Sequence, residues 1–359
     1  MLSVEKNINF SKQLDTIVRL PIKCASTGRE IDICYNDFGD KSDPCLLLIQ
    51  GVGTSLLGYD YDSFIQHFLD QHIRVIRFDN RDVGKSTNFN EHNNNNLVSM
   101  LRLGLPQWAS VGENPVYTLN DMANDCYGLL IALGVLDNAT DDSKAKRVHI
   151  FGTSMGGMIA QQFCLNYPRC VASMTLHMTH AGIGDCFEPS LLSYLVFLRP
   201  PKSRSPEHLA ENMLHIIDSL SQNYRYEKDE KGRVLKDSAY NKAVRDNTIQ
   251  SVLKGYERNG EQCEVGLPRQ AVAVMRAPPR LQALRETCGK YKIPVVVLHG
   301  GKDPLIPVRN GYQLAEAIPR ARLMVYPEMG HDFPEDLSPS FAEQTILNVR
   351  AGELKHPSK

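Results

Sequence analysis

The chain has 359 residues, 42% of them hydrophobic, with 40 lysines and arginines against 41 aspartates and glutamates and a formal net charge of −1. That length holds one large α/β domain with an inserted subdomain, or two ordinary domains, and the near-neutral balance gives no general pull toward nucleic acid or anionic membranes. The sequence has no apolar run long enough to span a membrane, and Met1-Leu2-Ser3-Val4-Glu5-Lys6 lacks the basic-then-apolar pattern of a secretory leader.

Nine scattered cysteines, never in C-x-x-C, fit reduced thiols and a cytoplasmic location better than a disulfide framework or a zinc site. Ile31-Asp32-Ile33-Cys34-Tyr35 alternates like an early strand, and Gly39 to Pro44 punctuates it as a turn. Cys45-Leu46-Leu47-Leu48-Ile49 is a continuous apolar run, as expected of a parallel strand covered on both faces. Ser63 to Asp70 reads as helix and Ile73 to Phe78 as the next strand, so the alternation predicts a doubly wound, mostly parallel α/β sheet. Residues 88–116 interrupt that rhythm with an asparagine tract, Asn93 to Asn96, and read as a surface insertion. Regularity resumes at Thr118-Leu119-Asn120-Asp121, a capping-box-like helix start.

Arg147 to Phe151 predicts a strand, and Met158 to Leu165 a helix in which Cys164 packs inward. Further strands fall at Val171 to Leu176, Pro294 to Leu298 and Leu323 to Tyr326. The expected division is a core over 24–181, a helical cap over 182–290 above the strands' C-terminal ends, and the rest of the core over 291–350. In the cap, Leu191 to Leu198 is apolar and is followed by the basic Arg199 to Arg204. Leu192, Leu195 and Phe197 are therefore candidates for an apolar substrate wall that could also touch a lipid surface. The plainer reading is a cap helix packed on the core.

The most informative residues are Gly152-Thr153-Ser154-Met155-Gly156, a G-x-S-x-G between strand and helix. This is the nucleophile-elbow pattern, in which a strained turn pushes a serine hydroxyl outward and a Cβ at either glycine would crowd the turn. A serine hydroxyl needs a histidine to take its proton and a carboxylate to orient that histidine. Asp303, in His299-Gly300-Gly301-Lys302-Asp303-Pro304, and His331, in Pro327-Glu328-Met329-Gly330-His331, follow strands in the chain order expected of such a triad. Asp185 and Asp332 are rival acids, and His177, His180 and His299 are rival bases that read as structural. Charge on an attacked carbonyl needs preset donors, and the N–H groups of Met155 and Val52 are the candidates. Gly51 and Gly53 alternatively just shape a tight turn. Gly84-Lys85-Ser86 is no phosphate loop, because Asp79 stands where the motif needs glycine. Asp79 to Gly84 instead reads as a turn that braces the site.

Taken together, these segments resemble the α/β-hydrolase fold superfamily, near the branch containing aclacinomycin methylesterase. The likeness runs through Gln50–Gly58, Asp79–Thr87, Gly152–Gly157, Arg276–Arg280, His299–Pro304 and Pro327–His331, over roughly residues 24 to 350. It implies Ser154, Asp303 and His331 as the triad, Val52 and Met155 at an oxyanion hole, and no cofactor or metal. Gln50 and Asp82 depart from residues common at those places, Asp82 in a way the methylesterase-like branch shares. The expected activity is cleavage of a small-molecule or lipid-like carboxylic ester through an acyl-enzyme. A methylesterase of a small aromatic metabolite, a carbon–carbon bond hydrolase, an aminopeptidase and a non-catalytic binding protein on the same fold are the rivals. No transmembrane segment is expected, and the oligomeric state is left open.

Overall fold

The computed structural model describes residues 14–59, 62–91, 114–137, 146–184, 196, 202–203, 205–235, 237–259 and 262–355. Eight strands form one sheet: β1 (Thr16–Lys23), β2 (Glu30–Phe38), β3 (Cys45–Ile49), β4 (Arg74–Phe78), β5 (Val148–Thr153), β6 (Val171–His177), β7 (Val295–Gly300) and β8 (Arg322–Tyr326). Among the described residues the helices are α1 (Asp62–Leu69), α2 (Leu119–Ala132), α3 (Met155–Asn166), α4 (Pro206–Leu220), α5 (Ala239–Asn259), α6 (Gln262–Met275), α7 (Leu281–Tyr291), α8 (Arg309–Ala317) and α9 (Ser338–Glu353).

β3 to β7 are buried along their whole length, which is why their sequences read as apolar runs rather than alternations. Alternate residues nonetheless serve opposite faces. Leu47 and Ile49 join a core with Met122 of α2, Met158 of α3, Leu284 of α7 and Leu314 of α8. Leu46 and Leu48 face Phe64 and Phe68 of α1 and Phe341 and Val349 of α9. The two arginines of β4 are buried because β2 supplies partners: Asp37 takes both ends of Arg74, at 2.8 and 2.7 Å, and Asn36 takes Arg77 at 3.0 Å. Thr118 caps α2 in a capping box with Asp121, as the sequence predicts.

The strand order is β1-β2-β4-β3-β5-β6-β7-β8, antiparallel at its first two pairings and parallel thereafter. The chain moves from β3 through α1 to β4 on one side, then returns past β3 to β5 on the other. That reversal falls between β3 and β5, and at the C-terminal ends of strands at such a switch point doubly wound sheets place ligands.

Three boundaries differ from expectation. The sheet starts at Thr16, not near residue 24, because β1 pairs with β2 and Leu20 enters the core. Pro21 and largely exposed flanks hide this edge strand. The second boundary concerns α7, which falls within 182–290 yet packs through Leu284 and Cys288 into the sheet's core. The excursion leaves and returns at one point, where the Arg280 N–H donates to the Ala181 carbonyl at 2.7 Å. Ala273 and Val274 of α6 reach the same core, so packing draws no sharp line at 290. Finally, residues 92–113 of the expected insertion lie outside the described residues, but its start is not superficial: Phe89 is fully buried and its N–H donates to Asp82 at 2.8 Å.

Cys24, Cys34, Cys45, Cys126, Cys164, Cys170 and Cys288 are free thiols, and all but Cys170 are buried. No helix among the described residues is long and apolar enough to cross a membrane.

Candidate active site

Ser154 joins β5 to α3 with φ 55° and ψ −118°, a conformation that costs a non-glycine residue about 1–3 kcal/mol. Its surroundings hold it there. Its N–H donates to the His177 carbonyl at 2.8 Å, and its carbonyl accepts from the Thr179 hydroxyl at 2.8 Å. The flanking glycines are obligatory on steric grounds. A Cβ on Gly152 would stand 2.3 Å from the Gly156 carbonyl oxygen, and one on Gly156 2.0 Å from that of Ile49.

Asp303 follows β7 and divides its carboxylate between two tasks. Oδ1 accepts the N–H groups of Leu305 at 2.9 Å and Ile306 at 2.7 Å, the ordinary work of an aspartate in a turn. Oδ2 lies 2.7 Å from His331 Nδ1. His331 follows β8, its N–H donates to the Leu220 carbonyl at 2.8 Å, and its Nε2 lies 3.1 Å from Ser154 Oγ. With Asp303 accepting from Nδ1–H, Nε2 carries the lone pair that faces the hydroxyl. Three side chains from three separate loops thus form one hydrogen-bonded series. Such a series can lower the cost of removing a proton from the hydroxyl.

The described rivals have other partners, although His299 Nε2 also lies 3.7 Å from Asp303 Oδ2. Asp332 pairs with Arg225, whose Nε reaches Oδ2 at 2.5 Å, and accepts the Phe333 N–H at 2.8 Å. Asp185 lies outside the described residues. His177, His180 and His299 are all buried, and burial pushes each below the usual imidazole range. For His180, burial together with the Arg280 guanidinium takes the value to about 3. His299 donates from Nε2 to the Ile306 carbonyl at 2.8 Å and so buttresses the Asp303 turn.

The loop after β3 lies against Ser154, since a Cβ on Gly51 would stand 3.4 Å from Ser154 Cβ and 3.9 Å from Oγ. Thr54 N–H donates to the Gly51 carbonyl at 3.4 Å, and Gly53 has φ +67°, so the loop is a tight turn that needs glycine at its third position. Val52 sits at the turn's second position. Met155 is the first residue of α3, where an N–H has no carbonyl of its own helix to bond. Leu192, Leu195 and Phe197 lie outside the described residues.

The Asp79–Gly84 turn ties this loop to the excursion. Asp79 accepts the Leu56 N–H at 2.8 Å and pairs with Arg258 of α5 at 2.8 Å. Asn80 donates to the Gln50 carbonyl at 3.0 Å, which anchors the loop at the residue that departs from the family's usual type. Asp82, in the left-handed region at φ 65°, takes both ends of Arg269 of α6 at 2.7 Å and the Tyr117 hydroxyl at 2.6 Å. Arg81 is buried between Asp125, at 2.7 Å, and Cys24. Arg225, Arg258, Arg269 and Gln270 were invisible to sequence reasoning. The signal available was the pair of acids in an apolar setting, which must find cations or donors. Which cations serve is decided by the fold.

An eight-stranded sheet with this order and a serine elbow at its reversal point to one class of fold. A family model described as alpha/beta hydrolase fold matches residues 44–336, and the chain belongs to that family. Membership makes it a hydrolase, and its relatives divide over which bond is cut. A 2-hydroxy-6-oxo-6-phenylhexa-2,4-dienoate hydrolase of Comamonas testosteroni is 24% identical over 83% of this chain and 84% of its own length. A rhodomycin D methylesterase of Streptomyces peucetius is 22% identical over 91% of this chain and 98% of its own. Among solved structures, an esterase from Rhodococcus sp. ECU1013 aligns with TM-score 0.61 at 17% identity, covering 93% of this chain and 98% of that one.

Proposed function

We propose that the protein hydrolyses carboxylic esters through an acyl-enzyme. Ser154 Oγ attacks the ester carbonyl as His331 Nε2 takes its proton, and Asp303 holds the imidazole and balances its charge. The tetrahedral oxyanion is stabilised by the N–H groups of Met155 and Val52. Its collapse expels the alcohol, which takes its proton from His331. Water, deprotonated by His331, then attacks the acyl-enzyme, and collapse returns the proton to Ser154 and frees the acid. No metal or organic cofactor enters the cycle. The observation that carries this reading is the series from Asp303 Oδ2 through His331 to Ser154 Oγ, at 2.7 and 3.1 Å.

The excursion is the natural lid for the substrate. It grips both site loops, through Leu220 on His331 and Gln270 on Gly53. An apolar acyl group suits Leu192, Leu195 and Phe197, and a small or lipid-like ester, with peripheral membrane contact for the latter, is the proposed substrate class in a cytoplasmic setting.

The Comamonas relative favours a second reading, cleavage of a carbon–carbon bond next to a ketone. The same serine series could open it, but the leaving group then needs a proton on carbon rather than on oxygen. A panel of methyl, aryl and glyceryl esters of varied acyl length, run beside a 2-hydroxy-6-oxo-dienoate, separates the two. Ester turnover that falls on the order of 10⁴-fold or more in Ser154→Ala supports the proposal. Turnover of the dienoate alone, or ester turnover indifferent to Ser154→Ala, defeats it.

A further inference from the structure

Gln270 belongs to α6, in the excursion, yet its side chain is fully buried against the two site turns. Its Oε1 accepts the Gly53 N–H at 2.7 Å while its Nε2 donates to the Arg81 carbonyl at 2.8 Å. Both ends of the amide are engaged, so its orientation is fixed: the oxygen faces Gly53 only while the NH₂ faces a carbonyl. Arg269, the preceding residue, is pinned to Asp82, and Leu267 lies 3.3 Å from where a Cβ on Gly53 would be. The contact with Gly53 is therefore backed by two neighbouring residues of α6, Leu267 and Arg269.

The effect on the β3 loop follows from peptide geometry. A turn with positive φ at its third residue can interconvert with its common alternative by flipping the central peptide, here Val52–Gly53. The flip would bring the Val52 carbonyl oxygen to where the Gly53 N–H now stands, against Gln270 Oε1. Two acceptors repel, so Gln270 admits one form of the turn. Thr54 Oγ1 donates to the other end of the same peptide, the Val52 carbonyl, at 3.3 Å. In the neighbouring peptide the Gly51 carbonyl is held by Thr54 N–H at 3.4 Å, and a planar trans peptide then turns the Val52 N–H the opposite way. Without these holds, glycines on both sides of Val52 leave the loop free to sample other conformations.

We propose that Gln270 is a positioning residue for hydrolysis: by locking the Val52–Gly53 peptide it holds the turn in the one form whose Gly51–Val52 peptide keeps the Val52 N–H aimed at the oxyanion formed on Ser154. A competent oxyanion hole then requires α6 to be seated on the core. This rests on the ester-hydrolase reading above.

The test measures kcat and KM on a 4-nitrophenyl ester, and inhibition by an alkyl trifluoromethyl ketone, which adds to the serine as a tetrahedral adduct. Gln270→Met matches the side chain's length without either hydrogen bond. It should lower kcat on the order of 10- to 100-fold and weaken the ketone by the same factor, with KM changed by less than about threefold. Gln270→Glu keeps an oxygen toward Gly53 but turns a second acceptor on the Arg81 carbonyl, so it should recover only part of both losses. Thr54→Val releases the other end of the peptide at an outlying position and should give a smaller, parallel loss, which decides the matter if Gln270→Met fails to fold. Unchanged kcat in Gln270→Met, or a fall in kcat with ketone affinity intact, overturns the proposal. If the wild type neither turns over esters nor is labelled by a fluorophosphonate, the ester reading itself is what has failed.

Discussion

The elbow and the excursion hold their parts of the site by opposite means. Around Ser154 the constraint is steric and made by backbone: carbonyl oxygens of Ile49 and Gly156 fill the space where side chains would begin. In the excursion the constraint is electrostatic and made by long side chains. Arg225, Arg258 and Arg269 each reach an acid in a core loop, Asp332, Asp79 and Asp82. The packing differs accordingly, since Asn241 is the only buried side chain among the described residues of α5. The contrast fits a division of labour in which the place of Ser154 tolerates no variation, whereas the excursion is attached at a few strong points that can be changed one at a time.

The sharpest way to break the comparison is at its steric end. Gly156→Ala places a methyl group 2.0 Å from the Ile49 carbonyl, with backbone rather than a yielding side chain in the way. The expected loss is more than about 4 kcal/mol, read as a large drop in the urea midpoint or a failure to accumulate folded protein. A midpoint equal to the wild type's would mean that the elbow relaxes easily and that its strain is not enforced.

At the electrostatic end the effect should be somewhat smaller and, unlike the first, repairable. Arg269→Met leaves Asp82 buried with only the Tyr117 hydroxyl and the Phe89 N–H, and should cost about 3 kcal/mol. Adding Asp82→Asn removes the stranded charge, so the double variant should be more stable than Arg269→Met alone. Hydrogen exchange should place the single variant's loss first in α6. A double variant less stable than the single, or protection lost first in the central strands, would show that the pair supports the sheet rather than the lid.

The same contrast explains what could be read before folding. β3 and β7 were legible because a strand buried on both faces is mostly apolar, and the elbow because its glycines answer a steric demand within five residues. The three triad candidates were legible as loop residues after strands, in order. β1 was missed because its alternation is broken by Pro21 and it buries little. The excursion's attachments were missed for a different reason: Asp82 and Arg269 are 187 residues apart, and an arginine on a helix carries no sign of which acid it will meet. The departure at Gln50 raised a question about the neighbouring donor that Asn80 and Gln270, both remote in sequence, bear on directly.

The point where the excursion joins the core offers the mildest probe. His180 lies there: its carbonyl accepts from Gln161 of α3 at 3.1 Å, and its Nδ1 accepts the Gly182 N–H at 3.0 Å. Burial, and then the Arg280 guanidinium, depress the imidazole from 6.5 to about 3 in the folded protein. Between those values the unfolded chain binds a proton that the folded one refuses, so stability falls as pH falls, beginning near 6.5. At pH 5.5 this single group should cost about 1.4 kcal/mol relative to neutral pH. His177 and His299, also lowered by burial, add slope of the same sign. His180→Asn keeps an oxygen for the Gly182 N–H but cannot titrate, so its urea midpoint should decline less steeply from pH 7.5 to 5.5 than that of the wild type. Parallel declines would mean that His180 already carries its proton in the folded state, and that the junction opens to water along with the lid.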